Sequence, residues 1–201
     1  ELIDLDWSVG HENRFGLVRR FPIGVIGAIT PFNFPLNLVA HKIAPAMASG
    51  NCIVLKPASK TPLCALALAE LLDQTDYPKG AISILPASAA EAHPLITDPR
   101  IKLVTFTGSD AVGWEIQRQA VGKKITLELG GNAAVIVAAD ADLQRAATRI
   151  VSGAFGVAGQ SCISIQRIYL HREIADTMTS LLVAKASALV VGDPFDVKTD
   201  I

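Results

Sequence analysis

From Phe21 onward, short runs of apolar residues alternate with longer stretches in which apolar and polar positions mix with helical spacing. This alternation predicts repeated strand–helix–strand units and therefore an α/β fold with a parallel sheet. The predicted strands are residues 24–29, 51–55, 81–85, 102–106 and 125–129. The predicted helices between them are residues 36–48, 62–72, 89–97 and 111–120.

The two ends of the chain follow different patterns. Residues 1–20 alternate loosely around a turn-rich segment at 8–13, which predicts a β-hairpin. After Gly130, a strand at 133–137, a helix capped by Asp142, a strand at 167–170 and a helix at 173–189 are expected. We therefore expect three parts: a hairpin arm at 1–20, a Rossmann-like cofactor domain at 21–127, and an incomplete catalytic domain at 128–201.

Composition excludes several classes of protein. Half of the 201 residues are hydrophobic and 18% are charged, which is too apolar for a disordered chain. The formal net charge of −1 gives no reason to expect nucleic acid or an anionic membrane as partner. Three cysteines without a Cys-x-x-Cys pair predict neither a disulfide framework nor a metal site, and they favour a reducing, cytoplasmic location.

The segment at 155–162 (FGVAGQSC) ends on the cysteine of greatest chemical interest. Gly156 and Gly159 permit a tight bend on which Cys162 can be presented as a nucleophile. Taken alone, Cys162 is more simply interpreted as a small core hydrophobe, as most intracellular cysteines are.

Two further motifs change that interpretation. Residues 128–132 (ELGGN) lie upstream of Cys162, and residues 30–35 (TPFNFP) lie further upstream. In this order and spacing, the three motifs resemble the signatures F-x-x-x-G-Q-x-C, L-E-L-G-G and T-P-[WF]-N-[FY]-P of the aldehyde dehydrogenase superfamily. The resemblance runs from about residue 15 to residue 200, and it implies that the chain is an internal piece of a longer enzyme.

The resemblance implies a catalytic role for three residues. Cys162 is the expected nucleophile, Asn33 with the Cys162 backbone N–H the oxyanion donor, and Glu128 the general base that hydrolyses a thioester. Without the resemblance, Asn33 is simply a turn residue before Pro35, and Glu128 a solvated carboxylate at a strand end.

The cofactor NAD or NADP is expected from the resemblance, although no G-x-G-x-x-G follows a strand. Residues 106–113 (FTGSDAVG) end a strand and open a helix, so that Ser109 can reach a phosphate at the helix N-terminus while Asp110 points to solvent. The alternative is an ordinary Ser109 cap with Gly113 packing against the helix's neighbours. The expected cofactor-binding residues are Ile29, Thr30, Pro31, Phe32, Lys56, Ser59, Gly108, Ser109, Val112, Gly113, Leu129 and Gly130.

The choice between the two cofactors depends on Ser59. Many family members that prefer NAD carry a glutamate at this position, which repels a 2′-phosphate. Ser59 removes that repulsion and Lys56 adds positive charge, so NADP is slightly favoured. The alternative is that Ser59 merely caps the helix at 62–72.

The substrate is less well specified by the sequence. By the resemblance, Asn37, His41 and Ser161 face the aldehyde, and their polarity favours a small or polar substrate such as a lactaldehyde, a semialdehyde or a phosphorylated aldehyde. The alternative for His41 is a structural role on its helix.

Two other functions are compatible with parts of the pattern. A cysteine hydrolase needs a histidine partner for Cys162, and none of the four histidines lies in a recognisable signature. A catalytically silent cofactor-binding or assembly fragment is the second alternative. The expected partners are a small-molecule aldehyde and further copies of the chain in a homo-oligomer joined through the hairpin at 1–20, with neither nucleic acid nor membrane.

Overall fold

The computed structural model describes residues 1–201 and confirms the α/β class with a parallel sheet. The central sheet has five parallel strands in the order β5-β4-β3-β6-β7. These strands are β3 (Val25–Ile29), β4 (Cys52–Lys56), β5 (Ile82–Ile84), β6 (Ile101–Thr107) and β7 (Lys124–Glu128).

Two smaller sheets contain the remaining strands. β1 (Leu2–Asp4) and β2 (Phe15–Leu17) form the predicted antiparallel hairpin, with Leu2 opposite Leu17. β8 (Ala133–Val137) and β9 (Ile165–Leu170) pair in parallel as a separate sheet. The apolar side chains Leu2, Phe15 and Leu17 of the hairpin are exposed.

Helices cover both faces of the central sheet. On one face, α1 (Asn37–Ala48) and α2 (Leu63–Asp73) bury Ile26, Ala28, Ile53 and Leu55. On the other face, α3 (Pro94–Thr97) and α4 (Asp110–Gln119) cover Val104 and Phe106. Successive residues of a strand face opposite sides of the sheet. The two sets above therefore show on which face each of the remaining strand residues lies.

The second sheet packs on α5 (Leu143–Phe155) and α6 (Ala175–Ser187), with Val137, Ala147, Ile150 and Met178 in the core between them. Asp142 caps α5 as predicted, because its side chain accepts a hydrogen bond from the Arg145 N–H at 3.0 Å. No helix is both long and apolar enough to cross a bilayer.

One predicted helix is wrong in most of its length. A helix was expected over residues 89–97, but residues 89–93 form turns and α3 begins only at Pro94. Pro94 has no N–H, so it cannot continue the hydrogen bonding of a helix begun at residue 89 and is accommodated at the first position of α3, although His93 before it already has helical backbone angles.

Candidate functional site

The position of the site follows from the order of the strands. The chain leaves β3 toward β4 and β5 on one side, then crosses back to β6 and β7 on the other side of β3. The loops after β3 and β6 therefore diverge, and in open parallel sheets the crevice between such loops is where ligands bind. The motif at 30–35 follows β3, and the segment at 108–113 follows β6.

The carboxyl ends of four strands bring the predicted cofactor segments to one edge. The Thr30 N–H donates to the Lys56 carbonyl at 3.2 Å, which joins the ends of β3 and β4. The Gly108 N–H donates to the Glu128 carbonyl at 3.0 Å, which joins the ends of β6 and β7. Ile29, Pro31 and Phe32 lie on the same edge, half-buried or exposed.

Asn33 connects this edge to the segment that carries Cys162. Its amide Nδ2 donates to the Gln160 carbonyl at 2.8 Å, across 127 residues of sequence. One amide hydrogen therefore remains free for another acceptor. Asn33 Oδ1 and the Thr30 hydroxyl are buried polar atoms without a hydrogen-bond partner, and Thr30 is only 4% exposed. Unpartnered buried polar atoms are uncommon and suit a site that receives a ligand.

The loop before Cys162 has an unusual backbone. After α5 ends, Val157, Ala158 and Gly159 adopt left-handed conformations with φ of 55°, 53° and 71°. Such a conformation costs an L-residue about 1–2 kcal/mol, and it is least tolerated by a β-branched residue such as valine. The turn is closed by a 3.0 Å hydrogen bond from the Gln160 N–H to the Val157 carbonyl, and it leaves Cys162 exposed.

Gly131 lies directly against Cys162. A Cβ atom added to Gly131 would overlap the Cys162 carbonyl oxygen, so only glycine permits this approach. The next residue is also held, because the Arg167 guanidinium donates to the Asn132 carbonyl at 3.2 and 3.0 Å. The segment that follows Glu128 is thus packed on the segment that carries Cys162, and all three predicted motifs meet here.

Lys42 was not anticipated as a site residue. It is 7% exposed, and its ammonium donates to the Thr105 hydroxyl at 2.9 Å. Burial lowers the pKa of Lys42 to about 8, while the negative charge of Glu128 acts in the opposite direction. Thr105 pairs with Thr126 and lies on the α1 face of the sheet, as does Glu128. A signal was present in the sequence, since Lys42 falls among the buried positions Val39, Ile43 and Ala46 of α1.

The segment at 108–113 contains packed glycines and exposed residues. Gly113 is buried against Leu129, and a Cβ at Gly108 would meet the Phe106 ring, so packing alone accounts for both glycines. Ser109 occupies the N-cap position of α4, yet its hydroxyl makes no capping bond. Ser109, Asp110 and Val112 are exposed, and Gly130 borders open space. The free Ser109 hydroxyl at a helix N-terminus suits a phosphate oxygen.

Lys56, the last residue of β4, contacts the segment that follows this strand. Its ammonium is buried and donates to the Pro57 carbonyl at 3.0 Å, and burial lowers the pKa of Lys56. Ser59 is exposed and does not cap α2, because the N-cap of that helix is Pro62. The interpretation of Ser59 as a helix cap is therefore wrong.

The three predicted substrate residues do not come together. Ser161 lines a cavity of about 410 Å³ beside Cys162, together with Phe34 and Ile163. His41 lines a different cavity of about 320 Å³, next to Lys42. Asn37 is exposed at the first residue of α1.

The histidines offer Cys162 no partner. The side chains of three of them bond elsewhere: His11 to the Ser8 hydroxyl, His93 to the Gln119 side chain and His171 to the Glu173 N–H. His41 is in the separate cavity on the α1 face. A cysteine–histidine pair, which a cysteine hydrolase needs, is not formed.

Comparison with known proteins agrees with this geometry. The aldehyde dehydrogenase family profile matches residues 4–201. The chain belongs to the aldehyde dehydrogenase family.

Three relatives illustrate the similarity. The 3-sulfolactaldehyde dehydrogenase of Priestia megaterium is 47% identical over 202 residues, covering 100% of this chain and 42% of the relative. The crystal structure of aldehyde dehydrogenase 21 from Physcomitrella patens, in complex with the reaction product succinate, is 46% identical with a TM-score of 0.92, covering 100% of this chain and 42% of that one. The glyceraldehyde-3-phosphate dehydrogenase of Methanocaldococcus jannaschii, complexed with NADP, is also 46% identical, with a TM-score of 0.84 over 90% of this chain and 41% of that one. The chain thus spans well under half the length of these relatives.

Proposed function

We propose that this chain supplies the nucleophile and the cofactor-binding edge of an NAD(P)-dependent aldehyde dehydrogenase. The overall reaction converts an aldehyde, NAD(P)⁺ and water into a carboxylate, NAD(P)H and two protons. The observation that carries the proposal is the meeting of three distant motifs, since Asn33 bonds the Gln160 carbonyl at 2.8 Å and Gly131 packs on the Cys162 carbonyl.

Each of three side chains has a distinct task. Cys162 Sγ adds to the aldehyde carbon and forms a thiohemiacetal, whose oxyanion accepts hydrogen bonds from the free amide hydrogen of Asn33 and the Cys162 N–H. When bound, NAD(P)⁺ supplies the acceptor for the hydride that leaves this adduct. Glu128 then takes a proton from water, which attacks the resulting thioester, releases the carboxylate and frees the Cys162 thiol.

The residues at the sheet edge fit a dinucleotide. Ser109 offers an unused hydroxyl at the N-terminus of α4, Gly130 borders open space, and Thr30 holds a buried hydroxyl without a partner. Lys56 ends β4 and the exposed Ser59 follows it, where an adenosine ribose is expected from the resemblance. Because no carboxylate stands at Ser59, we propose that NADP is accepted and slightly favoured over NAD.

The test of cofactor choice is a comparison of kcat/KM for NADP and NAD in the wild type and in Ser59→Glu. We expect the introduced carboxylate to repel the 2′-phosphate, so the NADP-to-NAD ratio should fall about tenfold or more. Ser187→Glu, at an exposed serine that ends α6 away from the central sheet, serves as the control. A strong NAD preference in the wild type contradicts the proposal for Ser59.

The substrate is proposed to be a small polar aldehyde that reaches Cys162 through the cavity lined by Ser161. Ser161 and Ile163 flank Cys162 in sequence, and Phe34 follows Asn33, so this cavity adjoins both the nucleophile and the oxyanion donor. Asn37 and His41 remain predicted substrate residues, although they lie outside this cavity.

The experiment for the central proposal measures labelling and turnover together. Iodoacetamide should modify Cys162 and abolish formation of the reduced cofactor, and Cys162→Ala should show neither labelling at this site nor turnover. Cys64→Ala, which removes another exposed thiol, is the control and should retain activity. Labelling of Cys162 without any turnover by the natural-length protein supports the silent cofactor-binding alternative instead.

Assembly and location are proposed on separate grounds. The hairpin of β1 and β2 exposes Leu2, Phe15 and Leu17, which suits contact with a second copy of the chain. A cytoplasmic location is proposed because all three cysteines are free. Assembly is tested by comparing the sedimentation of the wild type with that of a form lacking residues 1–20, which should have a lower mass. The cytoplasmic location is tested by fractionation of cells.

A further inference from the structure

The cavity beside Cys162 contains one unused positive charge. Arg149 is the only charged residue among those that line it, and no acidic side chain is present. Its guanidinium takes part in none of the three ion pairs of the structure, which are Lys79–Asp73, Arg100–Asp98 and Arg118–Glu115. Arginine in a cavity without a carboxylate partner is a ready receptor for an anionic group, since its planar fork can donate two parallel hydrogen bonds.

The surroundings of Arg149 suit a short ligand. The Arg149 side chain is exposed, so an anionic group can reach it from solvent, and Val135, Ile150 and Ile165 supply the apolar walls of the cavity. Ser152 and Ser161 provide hydroxyl groups along the same cavity. A ligand here therefore meets apolar contact along its length, hydroxyls beside it and one cation.

The spacing between Arg149 and the turn before Cys162 suits a short substrate. Arg149 lies seven residues before Gly156 on α5, and Gly156 opens the turn that leads to Cys162. Seven residues of helix rise about 10 Å. A flexible arginine side chain covers part of that span, so a substrate of roughly three to five carbon atoms bridges the rest, within the size range of ordinary ligand pockets.

We infer that Arg149 determines specificity by binding an anionic group on the far end of a short aldehyde while the carbonyl carbon lies at Cys162. The inference rests on the proposed function and adds the substrate class, a small aldehyde bearing a carboxylate, sulfonate or phosphate. The names of the three relatives are in keeping with it, because sulfolactaldehyde, succinate and glyceraldehyde 3-phosphate each carry such a group.

The experiment compares two aldehydes of equal carbon length in the natural-length protein. Succinate semialdehyde carries a carboxylate and butanal is neutral; glyceraldehyde 3-phosphate forms a separate arm that distinguishes phosphate from carboxylate. We expect the wild type to favour the anionic aldehydes in kcat/KM. In Arg149→Met, KM for the anionic aldehydes should rise about tenfold to a hundredfold, as expected for loss of a charge-assisted pair. KM for butanal and kcat for all three should change less than about twofold, the scatter expected away from the binding group.

Arg145→Met is the matched control. Arg145 lies one turn earlier on the same face of α5, is exposed, forms no ion pair and does not line the cavity. This variant should behave as the wild type toward all three aldehydes. Arg149→Lys keeps the charge but loses the two-pronged geometry, so its KM values should fall between those of the wild type and Arg149→Met.

A second measurement needs no variant and guards against misfolding of Arg149→Met. Raising the ionic strength from about 0.05 M to about 0.5 M shortens electrostatic range and should raise KM for succinate semialdehyde but leave KM for butanal unchanged. Equal effects of salt or of Arg149→Met on the anionic and neutral aldehydes overturn the assignment of Arg149. Failure of the proposed function gives a separate result: the wild type does not oxidise butanal at all, or Cys162→Ala oxidises it as well as the wild type does.

Discussion

Replacing Lys42 by methionine should stabilise the protein at neutral pH, although it removes a hydrogen bond. Burial lowers the pKa of Lys42 from 10.5 to about 8, so the charged form is disfavoured in the folded state. That difference corresponds to ~3 kcal/mol at pH 7. Methionine fills a similar volume without charge, and the Thr105 hydroxyl loses its donor at a cost of ~1 kcal/mol. The expected net gain in the free energy of unfolding is ~2 kcal/mol.

The pH dependence of this gain has a definite sign. Below pH 8 Lys42 is charged in both the folded and the unfolded state, so the cost of burying it is fully present. Between pH 8 and 10.5 the folded state has released the proton and the unfolded state has not, so the wild type gains stability as pH rises. At about pH 9.5 the remaining cost nearly equals the lost hydrogen bond, and the two proteins should be almost equally stable.

The assay is urea unfolding of the wild type and Lys42→Met at several pH values, followed by circular dichroism. Lys124→Met, an exposed lysine on β7, should change stability by less than about 0.5 kcal/mol at every pH. A Lys42→Met protein that is less stable than the wild type at pH 7, or a difference that does not shrink as pH rises, refutes the argument from burial.

Three further substitutions test other contacts. Gly131→Ala should lower kcat about tenfold or more, because the added methyl group displaces the Cys162 carbonyl; Gly16→Ala, where a Cβ has ordinary contacts, should retain activity. Ser109→Ala should raise the Kd for the cofactor roughly threefold to tenfold without changing Tm, since its hydroxyl caps nothing; a fall in Tm contradicts this. Val157→Asn should increase the free energy of unfolding by about 1 kcal/mol, because asparagine tolerates a left-handed backbone; chemical denaturation showing a decrease opposes it.

The sheet was predictable because each of its strands is a separate apolar run with helical stretches on either side. β3 at Val25–Ile29 lies within the predicted range 24–29, since burial on both faces of the sheet demands apolar residues at every position. The prediction of a helix over 89–97 failed because it was based on the apolar pattern, which takes no account of Pro94. The apolar spacing favoured a helix over 89–97, but the missing N–H of Pro94 prevents a continuous helix there.

The candidate site was predictable as a set of residue types and not as a set of contacts. Asn33, Glu128 and Cys162 were selected through three motifs that resemble one family, but the motifs do not reveal which atoms touch. Lys42 was missed because its role depends on Thr105, a residue 63 positions away that only folding brings near. The left-handed conformation of Val157 was missed because of a local preference, since valine is among the residues least expected to adopt it.

The strain at Val157 has a physical explanation in how the Cys162 loop is held. A turn with two non-glycine left-handed residues does not persist by its local preferences, so contacts around it must fix it. The residue directly after the turn is held by Asn33, which extends from the central sheet to the Gln160 carbonyl. Two residues further on, Gly131, which leads into the second sheet, packs on the Cys162 carbonyl. The position of the nucleophile is therefore a property of both sheets together, and an isolated peptide covering residues 143–170 should lose the turn even if it keeps the helix of α5.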